Sequence, residues 1–320
     1  MPALYLDALE RYAAIDDGMA EMAQWYKTGF HKKLPAACAK YFFGSLELRV
    51  ATLDAAGIDL QLISPATMLN YPASFQHANA LTSVWNDSVL AECRVAGGRY
   101  QILAGVPFRD PIQAIAETKR LIGDPMVAGL AITTQVDSVS FVDKRWYALY
   151  GLWNELGVTV FVHPTEFRVK GLVRPHLEKD IGTQFEDTLA SVDLYESGLT
   201  GRFPNIRWVV GHLGGAVSFL AGRLDEHWER DKAVRALATA PTESFGNVYF
   251  DTAGHDATAV RFAIERLGAD RFVYGSDFPM VGYDGLADLV SRTRVAIAAP
   301  EYELIAADTP LALVGRHHRA

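Results

Sequence analysis

What this chain has little of narrows it first. It holds two cysteines, Cys38 and Cys93, among 320 residues. Neither sits in a Cys-x-x-Cys pair, so a disulfide framework and a cysteine-ligated zinc module are not expected, and both read as reduced packing residues. The chain lacks any run of 18 or more apolar residues, so no membrane span is expected. It also lacks a basic stripe: the net charge is -8, with acidic and basic residues interspersed, and nucleic acid is not an expected partner. Neither a P-loop nor a GxGxxG pattern is present, which weakens any phosphate-cradle reading of its glycines. There is no low-complexity tract, internal repeat or linker. The start, Met1-Pro2-Ala-Leu-Tyr-Leu-Asp7, has neither the charged opening nor the apolar stretch of a signal peptide, so a cytoplasmic location is expected.

What is there fits a large globular core: half of the residues are hydrophobic and 21% are charged. The length admits two domains, but one α/β barrel of about 250 residues with insertions also fits, and a single domain over 1–320 is expected. From about residue 45 onward helical and strand patterns alternate. Helices are predicted over 46–56, 74–96, 146–156, 185–196, 216–229, 257–267 and 286–298, with another opened by Pro111 at its first position and running to residue 121. Gly157 stands where a helix C-terminal cap is wanted. Strands are predicted at 58–64, 100–105, 127–132, 158–163, 206–212, 248–251 and 271–277. Repeated βα units imply a parallel sheet closed or covered by helices, and the count of seven is one short of a closed (β/α)8 TIM barrel.

Two segments break the rhythm. Residues 8–44 carry Tyr12, Trp25, Phe30, Tyr41 and Phe42; residues 164–182 carry Phe167, Arg168 and His176. Long aromatic-bearing insertions beside a barrel mouth serve as lids or interface elements; ordinary surface packing is the competing reading. The tail Arg316-His-His-Arg-Ala320 is expected to be solvated, without a metal role for His317 or His318.

The chemistry concentrates in three runs, Val158-Thr-Val-Phe-Val-His163-Pro164, Ile206-Arg-Trp-Val-Val-Gly-His212-Leu-Gly-Gly215 and Arg271-Phe-Val-Tyr-Gly-Ser-Asp277-Phe-Pro279. Each is an apolar stretch that stops at a His or Asp followed by a turn residue. A buried parallel strand reads as a continuous apolar run, and its C-terminal end is where barrel enzymes put their chemistry. His163 and His212 are 49 residues apart, His212 and Asp277 are 65 apart, and one βα unit takes about 30 residues. That spacing puts the three on strands five, six and eight of one mouth. A lone strand-end histidine is as a rule a hydrogen-bonded structural residue; three such groups in one register argue for a site. A catalytic metal needs nitrogen and oxygen ligands with one position open. Gly211, Gly214 and Gly215 would let backbone and substrate approach closely around His212.

Phe-Val-His163-Pro, Arg202-Phe-Pro-Asn-Ile followed by Gly-His212-Leu-Gly-Gly, and Tyr-Gly-Ser-Asp277-Phe-Pro resemble the amidohydrolase-related family typified by 2-amino-3-carboxymuconate semialdehyde decarboxylase. The resemblance runs through nearly the whole chain in order, with Arg49 in Leu-Arg-Val-Ala-Thr-Leu-Asp-Ala-Ala-Gly-Ile-Asp59, with Asn86-Asp87, and with Arg223 eleven residues after His212. It implies a TIM barrel holding a divalent metal, Zn or Mn. His163 resembles the strand-five metal ligand, and Asp277 the strand-eight ligand that also shuttles protons. His212 resembles the strand-six catalytic acid or base. Arg49 resembles an arginine that holds the substrate carboxylate, and Arg223 a second one supplied by the neighbouring subunit of a homodimer, to which Trp208, Trp228 and Phe219 are suited. Either arginine could instead pair with a helix-borne acid such as Asp54 or Asp225. The implied partner is a small carboxylic acid, with Phe167, Trp25 or Tyr71 as candidate walls for its ring.

The family opens on a strand ending in His-x-His or Glu-x-His. This sequence begins at what looks like the segment just after it, and His31 is no substitute. A start site placed too late, a natural loss of metal binding, and a weaker site built from His163, His212 and Asp277 are the competing explanations, the first being expected. The leading function is a metal-dependent non-oxidative decarboxylase of an aromatic or muconate-like acid. The alternatives are a lactone or carbon–carbon hydrolase on the same scaffold and a catalytically inactive binding subunit.

Overall fold

The computed structural model describes residues 2–24, 26, 40–41, 44–65, 71, 75–165, 177, 181–232, 240–254, 256–280 and 285–314. These fall into two compact units, Met1–Ala131 with Ser276–Arg292, and Ile132–Gly275 with Thr293–Ala320.

In the first unit, helices Ala3–Ala13 and Asp17–Gln24 precede helix Leu46–Ala56. That helix starts at Ser45, whose hydroxyl accepts from Leu48 N, and stops at Gly57 in the left-handed region (φ 66°), as capping chemistry requires. Strand β1 (Gln61–Ile63), helix Ala78–Val95, strand β2 (Tyr100–Gly105), helix Pro111–Leu121 and strand β3 (Val127–Thr133) follow. β1 pairs parallel to β2 and β2 parallel to β3, with a bulge between Ile102 and Leu103. Asp110 caps the helix that begins at Pro111 by accepting from Ile112 N and Gln113 N. Asn86, fully buried on helix Ala78–Val95, pins the end of β2. Its Oδ1 accepts from Gly105 N at 2.8 Å, and its Nδ2 donates to Gly105 O at 2.9 Å and to Glu117 at 2.8 Å.

β3 crosses the boundary at Ala131, so its last residues open the second unit. A hairpin of β4 (Gln135–Val136) and β5 (Val139–Ser140) comes next, its two loop residues Asp137 and Ser138 both at positive φ (50° and 63°), the primed-turn geometry that matches strand twist. Then come helix Tyr147–Leu156, β6 (Thr159–His163), helix Thr183–Glu196, β7 (Arg207–Val210), helix Val217–Arg230, β8 (Val248–Asp251), helix Ala257–Leu267 and β9 (Phe272–Val273). β6 to β9 pair in sequence order, all parallel. Gly157 does end its helix in the left-handed region, at φ 61°. The core of this unit includes Phe141, Tyr150, Trp153 and Trp208, all fully buried; Tyr150 meets Trp208 edge-on with centroids 5.4 Å apart and donates its hydroxyl to Phe141 O. Trp208 is therefore a core residue rather than an interface residue.

Among the described residues the chain has seven parallel strands, all after residue 45, alternating with helices. That is the expected count and the repeat of a TIM-barrel chain. Three strands are shorter than their apolar runs. Residues 58–64 pair only over Gln61–Ile63, 206–212 only over Arg207–Val210, and 271–277 only over Phe272–Val273. No helix among the described residues is long and apolar enough to cross a membrane. Trp25, Phe30, Phe42, Phe167, Arg168, His176, His31, His317 and His318 lie outside the described residues.

Candidate active site

β6 ends on His163, whose carbonyl accepts from Thr134 N at 3.1 Å. Its Nδ1 lies 2.7 Å from the Pro164 carbonyl. A carbonyl only accepts, so Nδ1 carries the hydrogen and Nε2 the lone pair. Burial pushes the imidazole down to a pKa of about 4, helped by the neighbouring His212 and partly offset by the Pro164 carbonyl. His163 is therefore neutral at pH 7, with a basic nitrogen to offer. The segment after it is tied to Glu186: Thr165 donates to Oε1 from its N at 3.0 Å and its Oγ1 at 2.6 Å, and the Thr134 hydroxyl donates to the same atom.

His212 lies two residues beyond β7, in a tight turn rather than at the strand's last position. His212, Leu213, Gly214 and Gly215 all have positive φ, from 54° to 67°, a conformation that costs non-glycine residues about 1 kcal/mol or more. Asp251 holds this backbone: its Oδ1 accepts from His212 N at 2.7 Å and from Ala253 N at 3.0 Å. The ring is held separately, by Asp187 Oδ2 at 2.9 Å from Nδ1. Asp187 is fully buried. Desolvation raises its pKa to about 7 against the lowering effect of the bond to His212. The glycines of the turn make room for the protein's own packing. A Cβ on Gly214 would stand 2.5 Å from the Phe250 ring, and one on Gly215 2.1 Å from Gln184 O. Gly211 has no such need, since its nearest neighbour would be 3.8 Å away.

The two imidazoles meet edge-on, with centroids 5.8 Å apart and planes at 69°. So β6 and the turn after β7 bring His163 and His212 together as the spacing predicted. Asp277 belongs to the first unit. It stands four residues beyond β9 at φ 48°, and its carbonyl accepts from Met280 N at 2.7 Å. Arg49 is bound by Glu92, and its guanidinium carbon lies 5.8 Å from the ring centre of Tyr100, the first residue of β2. That is the N-terminal end of a strand, opposite to the end where barrel chemistry sits. Asp54 is taken by Arg99, and Asp225 by Thr242 and Arg266, so neither acid is the partner of Arg49 or Arg223 suggested by sequence. Arg223 is exposed on helix Val217–Arg230. Tyr71 is buried, its hydroxyl 3.4 Å from that of Tyr5.

Sequence reading missed Asp187, Glu186 and Asp251. Asp251 carries the same signal as His163, an apolar strand run ending in a polar residue. Asp187 shares a helical face with the buried Ala190, Ser191 and Leu194, and an acid on a core-facing stripe is itself a signal. Among the described residues no group of three or more His, Cys, Asp or Glu gathers as a metal site. The donor chemistry of His163 suits a metal, but the described residues do not complete a ligand set.

A family model described as amidohydrolase matches residues 34–316. The chain is 25% identical over 237 residues to 2-amino-3-carboxymuconate-6-semialdehyde decarboxylase of Dictyostelium discoideum, covering 73% of this chain and 66% of that one. It is 24% identical over 314 residues to gamma-resorcylate decarboxylase of a Rhizobium species, covering 91% and 93%. Among solved structures, 5-carboxyvanillate decarboxylase of Novosphingobium aromaticivorans, with bound manganese and a nitrobenzoic acid, superposes with a TM-score of 0.79 at 19% identity, covering 97% of this chain and 92% of that one. This likeness and the seven parallel strands establish the α/β TIM-barrel class.

Proposed function

The chain belongs to the amidohydrolase family, in its decarboxylase group, and is an enzyme; from that premise we propose that it removes CO2 without oxidation from an aromatic or muconate-like carboxylic acid. The observation that carries this reading is the pair of imidazoles at the end of β6 and in the turn after β7, one neutral with its Nε2 lone pair available, the other seated on a buried carboxylate. In the reaction the electron pair of the bond to CO2 stays on carbon and a proton takes the place of CO2. With Nδ1 held by Asp187, His212 presents Nε2 as its proton-transfer atom. Asp277 serves as a second proton carrier. His163 and Asp277 would hold a divalent metal, zinc or manganese, which when bound polarises the substrate's oxygens.

The substrate carboxylate needs a cation. Arg49 already has Glu92, so a substrate there would have to displace an ion pair. Arg223 meets no such obstacle, and we assign the carboxylate to it, reaching into a neighbouring copy. Phe219 is 77% exposed one helical turn before Arg223, and Phe185 and Leu189 are more than half exposed on helix Thr183–Glu196. Such apolar side chains support a homodimer.

The test is CO2 release by the purified chain, supplied with Mn²⁺ or Zn²⁺, from gamma-resorcylate, 5-carboxyvanillate and 2-amino-3-carboxymuconate-6-semialdehyde. Release that disappears in His212→Asn supports the reading. Ring-opened product without CO2 replaces it with hydrolysis, and neither turnover nor metal uptake replaces it with a binding role.

A further inference from the structure

Two consecutive acids on one helix reach both halves of the imidazole pair. We infer that Glu186 and Asp187 are positioning residues, Asp187 fixing the ring of His212 and Glu186 fixing the two segments that hold His163: Thr165 just after it, and Thr134 just after β3, which binds the His163 carbonyl. The catalytic side of this inference rests on the function proposed above; the positional side does not.

The geometry is specific. Helix Thr183–Glu196 grips the His212 turn at three places: Asp187 Oδ2 to the ring at 2.9 Å, Thr188 Oγ1 accepting from Ala216 N at 2.8 Å, and Ser191 Oγ donating to Gly214 O at 3.3 Å. Missing side chains at Gly214 and Gly215 allow the approach. One residue earlier, Glu186 Oε1 collects three donors, the Thr134 hydroxyl and both the N and the hydroxyl of Thr165. Thr134 N in turn binds the His163 carbonyl. One helix thus holds the ring of His212 directly and the segments around His163 through Thr134 and Thr165.

Stability alone does not account for these acids. Burying a carboxylate is costly unless all its oxygens are satisfied. Here Glu186 Oε2 and Asp187 Oδ1 are buried and have no hydrogen-bond partner among the described residues. Apolar side chains would hold the helix at lower cost, as Leu194 and Ala190 already do. A buried carboxylate accepting from Nδ1 does what an alanine or leucine cannot: it selects the tautomer, aims Nε2, and stabilises the imidazolium that forms when His212 holds a proton.

The inference is tested on the full chain in two ways. In ¹⁵N-histidine NMR spectra without substrate, His212 is expected as the Nδ1–H tautomer. Asp187→Ala should shift it towards Nε2–H or a mixture, while Glu186→Gln should move the ring signals of His163 and leave the His212 tautomer alone. Unchanged His212 signals in Asp187→Ala, or unchanged His163 signals in Glu186→Gln, overturn the corresponding half. Asp187→Asn keeps the shape and serves if Asp187→Ala does not fold. It should lower kcat about 10–100-fold with KM within about threefold, with partial recovery in Asp187→Glu. Wild-type kcat in Asp187→Asn, beside an inactive His212→Asn, overturns the positioning role. If the wild type decarboxylates nothing, the NMR arm still decides, so failure of the function and failure of the inference are told apart.

Discussion

Replacing Gly215 by alanine tests how the His212 turn is built. Two costs add. Gly215 sits at φ 65°, where a side chain costs about 1–2 kcal/mol. The new methyl would also stand 2.1 Å from Gln184 O, 2.3 Å from Thr188 Oγ1 and 2.7 Å from Thr188 N. Two of these are backbone atoms of helix Thr183–Glu196 and its first turn, so the helix itself must move, and overpacking of this kind costs about 1–3 kcal/mol. The expected loss is about 2–5 kcal/mol. For a chain of this size each kcal/mol is worth about 2 °C, so the melting midpoint should fall by about 4–10 °C in thermal denaturation followed by circular dichroism. Gly57→Ala supplies the control, because Gly57 has the same φ, 66°, and nothing within 4 Å of its would-be Cβ. It should show the conformational cost alone, about 1–2 kcal/mol. The same outward movement of the helix would carry Asp187 away from His212, so activity should fall more steeply in Gly215→Ala than stability predicts. A Gly215→Ala protein that melts no lower than Gly57→Ala would refute the close approach, and with it the argument for why two glycines follow the histidine.

Three further outcomes are expected. His163 has a folded pKa of about 4 against about 6.5 unfolded. The unfolded state therefore takes up the proton first, and stability present above pH 6.5 is lost as pH falls towards 4. The full gap corresponds to about 3 kcal/mol, discounted to about 1–3 for the partly exposed ring. Asp187, raised to about 7, acts with the opposite sign as pH rises from 4 to 7. The His163 contribution is therefore read by comparing urea unfolding of metal-free wild type and His163→Gln at pH 4.5 and 7.5; equal pH slopes would refute it. Asn86→Ala should destabilise by about 2–4 kcal/mol, since it strands Gly105 N and O and one Glu117 contact in the interior; a loss below about 1 kcal/mol in urea unfolding would refute the pin. Gly151→Ala, in the middle of helix Tyr147–Leu156 with open space around the new methyl, should instead stabilise by about 0.5–1 kcal/mol, and a lowered midpoint would contradict the open space.

Local signals carried the elements that local chemistry controls. Pro111 with Asp110 before it, and Gly157 after its helix, mark ends that the backbone respects, because capping depends on neighbours within four residues. Strand ends were less legible. The apolar run 271–277 pairs only over Phe272–Val273, since burial keeps a segment apolar after it has left the ladder. The hairpin at Asp137-Ser138 went unread because neither residue is the glycine or asparagine that positive φ usually announces. Arg49 went to Glu92, 43 residues away on another helix, a pairing with no spacing rule behind it.

At the site the division has a physical meaning. His163 and His212 were legible because strand ends advertise polar residues against an apolar background. Glu186 and Asp187 sit on a helix whose other residues hide them, and what they do depends on Thr134 after β3, Thr165 after β6 and the turn at 212–216, which reach them only in the folded chain. The legible residues are the proposed reacting groups; the hidden ones hold them in place. A relative carrying the same two histidines could therefore lose its chemistry through a change on this helix alone. Because Asp187 is a fully buried carboxyl group with one oxygen unsatisfied among the described residues, its replacement by leucine could leave the fold as stable or more stable while leaving the His212 ring without its acceptor.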